Sequence, residues 1–148
     1  MRLLHTLIVM FIGSFIFQYF FMSAIMTNSL SNVRNSYGKM YMSVIMGLFM
    51  VLLEVYMHDS TYNAFNYKYY AVFGLLLGLF VYFYRQQTAI KDKEYLEEMI
   101  EHHSMAILTS KKIIEKTNNY YVAKIAKDIL QKQEDEINIM KNLVKNMK

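Results

Sequence analysis

Two adjacent histidines in the C-terminal half of the chain are the residues whose type and spacing could do chemistry. His102 and His103 are two of the four histidines, and Met99 precedes them by about one turn if the segment is helical. Side chains one turn apart share a helix face. Imidazole nitrogens and thioether sulfurs are ligands of transition metals, and copper accepts both. The segment could therefore supply part of a copper site.

A second segment carries complementary donors. Glu136 and Met140 lie one helical turn apart, and the polar segment 117–120 between the two regions indicates a chain reversal. In an antiparallel hairpin that reverses there, His103 faces Glu134, and with one turn of slack the histidine pair faces Glu136. Such sites form in helical bundles from side chains on facing helices. The predicted metal ligands are His102, His103, Met99, Glu136 and Met140.

The two histidines are not expected to bind one ion together. Adjacent residues on a helix point about 100° apart, so one imidazole would face the seam between the helices. The other would serve a neighbouring protomer or support a ligand from outside the coordination sphere. An ordinary hairpin also explains the pattern, because surface histidines are common and Met99 and Met140 fit an apolar seam. Spacing alone leaves both interpretations open.

The pattern resembles a known family. Two sequence patterns resemble those of the Domain of Unknown Function 305 family. The first is Asp92-x-x-Tyr95-Leu96-x-x-Met99-Ile100-x-His102-His103-x-x-Ala106-Ile107, and the second is Ile129-x-x-x-Gln133-x-x-Glu136-Ile137-x-x-Met140. The resemblance covers residues 85–141. It implies a ferritin-like helical fold and, from some members, a role in copper binding and tolerance. Two positions depart from the family pattern: Glu101 stands where Pro is usual, and Thr109 stands where a possible Met ligand is usual.

The N-terminal part of the chain is apolar and predicts a membrane domain. Charge is uneven, and residues 3–26 contain no acidic or basic residue apart from His5. A membrane helix needs about 20 apolar residues, and this run is longer than the core of a signal peptide. We therefore predict an uncleaved first span. The predicted spans are 3–26, 40–57 and 69–84, and the predicted domains are a membrane domain, 1–84, and a double-histidine hairpin domain, 85–148.

The predicted fold class is an all-α membrane protein, with three transmembrane helices followed by an amphipathic helical hairpin. Apolar residues recur at helical spacing on both sides of the reversal at 118–119. Two helices cannot bury a core alone, so the hairpin must pack on another surface. A second copy would complete a ferritin-like four-helix bundle, and extensions of the membrane helices are the alternative. The predicted partners are the lipid bilayer and a second copy of the chain.

The second span carries a stripe of methionines that ends beside a carboxylate. Their spacing keeps them on one helix face, and the upstream pattern resembles the membrane-anchored branch of the family. Thioethers suit Cu(I), but they also pack adaptably in apolar interiors. The stripe is a possible second metal site or a packing seam. Its members are Met42, Met46, Met50, Glu54 and Met57.

Composition excludes several functions. The chain has no Cys, so it has no disulfide, thiolate metal site or Cys nucleophile. It carries no catalytic triad, phosphate loop or dinucleotide turn, and we expect no enzyme. The net charge of +4 comes from lysines interleaved with acids on helix faces, which predicts a solvated surface and no nucleic-acid partner.

Two functional hypotheses remain after these exclusions. The first is a membrane-anchored protein that sequesters or relays copper, and the second is a structural or oligomerising membrane module with no metal. Counting basic residues near the spans favours a cytoplasmic hairpin. Soluble proteins that resemble the hairpin are typically exported, and copper handling by His and Met suits the outer face. We therefore assign the hairpin to the exported side.

Overall fold

The computed structural model describes residues 3–147, and 84% of these residues are helical. No strand occurs in this range. A π-helical segment, Phe17–Met22, joins α1 to α2, and a 3₁₀ turn, Leu30–Asn32, precedes α3. The α-helices are α1 Leu3–Ile16, α2 Ser23–Met26, α3 Tyr37–Tyr62, α4 Tyr67–Arg85, α5 Asp92–Ile114 and α6 Tyr120–Asn146.

Internal contacts divide the described chain into two compact units. The first unit holds the residues up to Phe21 together with Tyr37–Ala89. The second unit holds Met22–Ser36 together with the residues from Ile90 onward. The sequence-based division placed 22–36 in the membrane domain, whereas the contacts of this segment are made with α5. Hydrogen bonds to Ser104 and Glu101 hold this segment on α5, and the sequence did not reveal them.

The first unit contains the helices α1, α3 and α4. Both α1 and α4 pack against α3. Its buried centre is formed by Leu7, Val51 and Val55. Three helical stretches, Leu3–Met26, Tyr37–Tyr62 and Tyr67–Arg85, are long and apolar enough to cross a membrane. The predicted spans lie within them, and the second and third helices extend beyond the predicted ends.

Glycine at position 47 allows α1 and α3 to approach closely. A Cβ added to Gly47 would lie 2.8 Å from the ring of Phe11 and 3.2 Å from the Phe11 carbonyl oxygen. A Cβ at Gly74 or Gly78 would meet no atom within 4 Å. The two glycines of α4, a spacing that permits close helix packing, therefore make no close contact with the described residues 3–147.

The connection between α4 and α5 is not helical, and the first helix of the hairpin begins at Asp92. Gln87 and Ala89 have φ values of 52° and 61°, a region that non-glycine residues seldom adopt. The Tyr41 hydroxyl donates a hydrogen bond of 2.8 Å to the Thr88 carbonyl. That bond satisfies a carbonyl between the two left-handed residues and ties the connection to α3.

The second unit is built on an antiparallel hairpin of α5 and α6. Ile100, Ile107, Ile137 and Met140 form its buried core, and neighbouring apolar side chains pack around them. The reversal falls at residues 115–119, close to the predicted 118–119. The Asn119 Oδ1 accepts hydrogen bonds from the first backbone N–H groups of α6, which is a typical helix N-cap.

The segment 22–36 packs on α5 through polar contacts. Ser104 is fully buried, and its Oγ accepts hydrogen bonds from the Asn28 N–H at 3.0 Å and the Asn32 Nδ2 at 3.1 Å. The Glu101 carboxylate accepts a hydrogen bond of 2.9 Å from the Arg34 N–H. These bonds cover part of the α5 surface that the hairpin leaves open.

Candidate metal centre

His103 and Glu136 lie opposite each other across the hairpin. The His103 Nδ1 is 3.1 Å from the Glu136 Oε2. Although the two atoms are close, the Nδ1 is buried and makes no aligned hydrogen bond. The Glu136 side chain is about half exposed, so solvent reaches the carboxylate more easily than the ring nitrogen. This pair is the part of the predicted site that the fold brings into direct contact.

His102 has a different carboxylate partner. Its Nε2 lies 3.6 Å from the Glu98 Oε1, one turn earlier on the same helix. The interaction with Glu98 raises the pKa of His102 above its ordinary value, and partial burial opposes this rise. The two adjacent imidazoles therefore belong to separate pairs, one within α5 and one between α5 and α6.

The two predicted thioether ligands are part of the hydrophobic core. Met140 is buried with Ile100 and Ile137, and Met99 packs against the same cluster. The structure therefore places both thioethers in the seam between α5 and α6. Their packing accounts for their presence without a metal, and their sulfurs remain chemically suited to Cu(I).

The donor set suits copper but is incomplete within one chain. In residues 3–147 no group of three or more His, Asp or Glu side chains is arranged to hold a metal ion. His103 and Glu136 offer an imidazole nitrogen and a carboxylate oxygen close enough to share one ion. The buried, unaligned Nδ1 is the observation that fits a metal, and further ligands would have to come from the thioethers, solvent or a second copy.

Three buried polar residues lie on a different face of α5 from His103. The sequence did not identify them as a group. Glu98, Glu101 and Ser104 are all buried, and their spacing of three residues places them on one helix face. That spacing was visible in the sequence, but nothing in it identified the segment 22–36 as the partner. Close to this face, burial and the nearby Arg34 lower the pKa of Lys141.

Three of the four methionines in the α3 stripe lie outside the buried face of that helix. Met42, Met46 and Met57 are exposed, whereas the buried face of α3 includes Gly47 and Val51. Within the described chain these three methionines therefore face outward. Met50 and Glu54 are partly buried. At the end of the stripe, Glu54 and Met57 line a polar cavity.

Fold and site together define an all-helical protein with three helices of membrane-crossing length and a double-histidine hairpin. Residues 84–145 match the family described as "Domain of unknown function (DUF305)". The match confirms, over this part of the chain, the resemblance seen in the double-histidine pattern.

One curated relative is "Uncharacterized protein L153" of Acanthamoeba polyphaga mimivirus. It is 41% identical over 73 residues, an alignment that covers 49% of this chain and 48% of the relative. The chain thus spans about half the length of the relative that it matches. No solved structure matches the chain.

Proposed function

We propose that this protein is a membrane-anchored copper-binding protein that sequesters or relays copper through its hairpin. One observation carries the proposal: the buried His103 Nδ1 lies 3.1 Å from the Glu136 Oε2 without an aligned hydrogen bond. A buried polar nitrogen without a partner is costly. An ion bound by both groups would satisfy the nitrogen and neutralise the carboxylate.

The remaining predicted ligands have supporting roles in this proposal. Met99 and Met140 lie in the same seam and offer thioethers, which favour Cu(I). His102, paired with Glu98, would act from outside the coordination sphere or toward a second copy. Bound copper would supply a redox-active, soft cation. The chain's own residues hold and neutralise it, and we propose no catalytic step.

The membrane setting is part of the proposal. The three long apolar helices anchor the protein in a bilayer as a multi-pass protein. With such an anchor, salt or alkaline washing should not release the protein from membranes, because screening charge does not affect buried apolar surface. We assign the hairpin to the exported side, where a copper-sequestering protein would meet incoming metal.

A second candidate function, an oligomerising membrane module without metal, is favoured by a different observation. At the end of the hairpin nearest its turn, an apolar groove of about 330 Å³ remains open. It is lined mainly by Ile113, Val122, Ile125 and Ile129. A second hairpin would cover these side chains and complete a ferritin-like four-helix bundle. The two functions are compatible, because a dimer could also supply missing ligands.

The test is a copper titration of the full-length protein in detergent, after removal of metal with a chelator. His103→Ala and Glu136→Gln should each weaken copper binding by at least tenfold, on the order seen for residues that support metal ligands. Glu134→Gln is the matched control, because this carboxylate also lies on α6 but pairs with Lys111 at 3.0 Å. It should leave the affinity unchanged.

The same titration separates the two candidate functions. Ligation needs a neutral imidazole, so copper affinity should be higher at pH 7.5 than at pH 5. Equal affinity in wild type and His103→Ala would remove His103 from the site. No copper binding at any pH, together with a stable dimer in solution, would support the oligomerising module instead.

A further inference from the structure

The end of the hairpin nearest its reversal carries the chain's excess of positive charge. Residues 111–127, from the last turn of α5 into the first turns of α6, contain five Lys and one Glu. Outside this range the chain has eleven basic and eleven acidic residues, so the whole net charge of +4 resides here. We call residues 111–127 the hairpin tip.

Three lysines of the tip are exposed and make no ion pair with the described residues 3–147. The Lys111 ammonium lies 3.0 Å from the Glu134 Oε1, and the Lys112 ammonium lies 2.9 Å from the Glu115 Oε2. These two charges are neutralised within the hairpin. The three that remain face solvent, and their charge is available to an anionic partner. They are Lys116, Lys124 and Lys127.

Aromatic and aliphatic side chains stand among these lysines. Tyr120 and Tyr121 are 72% and 74% exposed, and their ring centroids are 5.6 Å apart. The apolar groove of about 330 Å³ opens at the same end of the hairpin, and its lining includes the exposed Ile113, Val122 and Ile125. Exposed apolar surface rimmed by polar residues marks a site of contact with a protein or a membrane.

The combination of Tyr, Lys and aliphatic side chains suits the surface of a bilayer. Tyr is enriched at membrane–water interfaces, because its ring is apolar and its hydroxyl is polar. A Lys stem packs along apolar surface while its ammonium stays in water. Each Lys beside anionic lipid also gains attraction to the negative surface. The three helices of membrane-crossing length supply a bilayer to every copy of the chain.

A second hairpin is the competing occupant of the groove. Two tips placed side by side would bring lysines of like charge together, and juxtaposed like charges oppose association. Anionic headgroups would instead neutralise the unpaired lysines while the acyl region covers the exposed aliphatic side chains. Charge complementarity therefore favours lipid over a second tip.

We propose that the hairpin tip docks on the surface of the bilayer that anchors the chain and binds the phosphate groups of anionic lipids there. Lys116, Lys124 and Lys127 supply the charge, and Tyr120 and Tyr121 insert between the headgroups. The inference goes beyond the copper function, because none of these residues is a candidate copper ligand. It rests only on the proposed membrane anchor.

The experiment measures how close the tip lies to the bilayer. The chain has no Cys, so one introduced cysteine carries a single fluorophore. Asn118→Cys places the label at the reversal, and Asn138→Cys places a control label farther along α6; both positions are exposed. Labelled full-length protein is reconstituted at one chain per lipid nanodisc, with a nitroxide-bearing lipid that quenches fluorophores at headgroup depth.

The discs contain phosphatidylcholine alone or phosphatidylcholine mixed with phosphatidylglycerol. The label at position 118 should be quenched in the mixed discs and much less in phosphatidylcholine alone. High salt should relieve part of this quenching, because salt screens exposed charges. Quenching of the control label at position 138 should depend less on lipid charge.

Lys124→Gln/Lys127→Gln should weaken docking by on the order of tenfold and relieve the quenching at position 118. The matched control is Lys132→Gln/Lys145→Gln, which removes the same charge from exposed positions of the same helix outside the tip. This pair should leave the quenching unchanged. All four side chains are exposed, so the variants should keep the helix content of wild type by circular dichroism.

Tyr120→Ser/Tyr121→Ser tests the apolar part of the contact. The two rings are exposed, so their removal should leave the fold intact and make the remaining quenching fully sensitive to salt. Quenching in this variant that resists salt as it does in wild type would show that the tyrosines do not insert, and would overturn the proposal.

The remaining outcomes also decide the proposal. Equal quenching in both lipid mixtures overturns it, and so does equal quenching with the two lysine pairs. Protection of the label that occurs only in discs holding two chains would assign the groove to a second hairpin and overturn it as well. A chain that fails to enter the discs refutes the membrane anchor itself, whereas entry without quenching refutes the docking alone.

Discussion

His103 and Glu136 face each other across the hairpin, with the Nδ1 of one 3.1 Å from the Oε2 of the other. The neighbouring carboxylate, Glu134, is instead 3.0 Å from the Lys111 ammonium. The contact thus depends on the register of α5 against α6, which the buried Ile100, Ile107 and Ile137 fix. Core packing therefore positions the candidate ligands, and a register shift would separate them.

His102 should stabilise the folded protein more at acidic than at alkaline pH. Glu98 raises the folded-state pKa of His102 above the unfolded value of about 6.5. For a raised pKa, the stabilisation is fully present below about pH 6.5 and is lost as the pH rises through the folded-state pKa. The melting temperature of wild type should therefore exceed that of His102→Gln by more at pH 6 than at pH 8.5.

Circular dichroism of the metal-free protein in detergent measures this difference, and NMR of the ring proton reports the pKa of His102 directly. Glu98→Gln provides the control, because it should return the His102 pKa toward its ordinary value. A difference between wild type and His102→Gln that is equal at both pH values would show that the Glu98 pair does not form.

Ser104→Ala should destabilise the second unit. The substitution removes the acceptor of two hydrogen bonds from Asn28 and Asn32, at a position with no solvent access. The Asn28 N–H also bonds to the Ser104 backbone carbonyl at 3.2 Å, so only the buried Asn32 amide loses its partner. An unmet buried donor costs about 1–3 kcal/mol, and we expect a loss of that size. Amide hydrogen exchange should also accelerate in residues 28–34.

The control for Ser104→Ala is Thr109→Ala, on the same helix. The Thr109 hydroxyl is exposed and bonds only to carbonyls within its own helix, so its loss should change stability by no more than about 0.5 kcal/mol. If both variants exchange like wild type at residues 28–34, the segment is not docked on α5.

Gly47→Val should weaken the packing of α1 on α3. The first added carbon would already lie 2.8 Å from the Phe11 ring, and the Phe11 carbonyl at 3.2 Å leaves little room for movement. Overpacking of this kind typically costs about 1–3 kcal/mol. Gly13→Val is the matched control on α1, where an added Cβ meets nothing within 4 Å. Thermal unfolding in detergent should be lowered by the first variant and changed little by the second.

Periodicity predicted the long helices, because they follow from helical spacing on both sides of a turn near Asn119. The strict register placed His103 opposite Glu134, whereas His103 contacts Glu136, which the prediction reached only with one turn of slack. The docking of 22–36 could not be predicted in the same way. Its Ser and Asn side chains form hydrogen bonds that depend on direction, and a polar segment without apolar spacing does not indicate its partner. The sequence also did not show that Met42 and Met46 face outward, since a methionine stripe fits a seam equally well.

The most direct test of the central claim is the X-ray absorption spectrum of copper bound to the full-length protein at pH 7.5. The spectrum should show imidazole scattering, together with a sulfur shell if Met99 or Met140 binds the ion. His103→Ala should abolish the imidazole contribution, whereas Glu134→Gln should leave the spectrum unchanged. Imidazole scattering that survives His103→Ala would contradict the account.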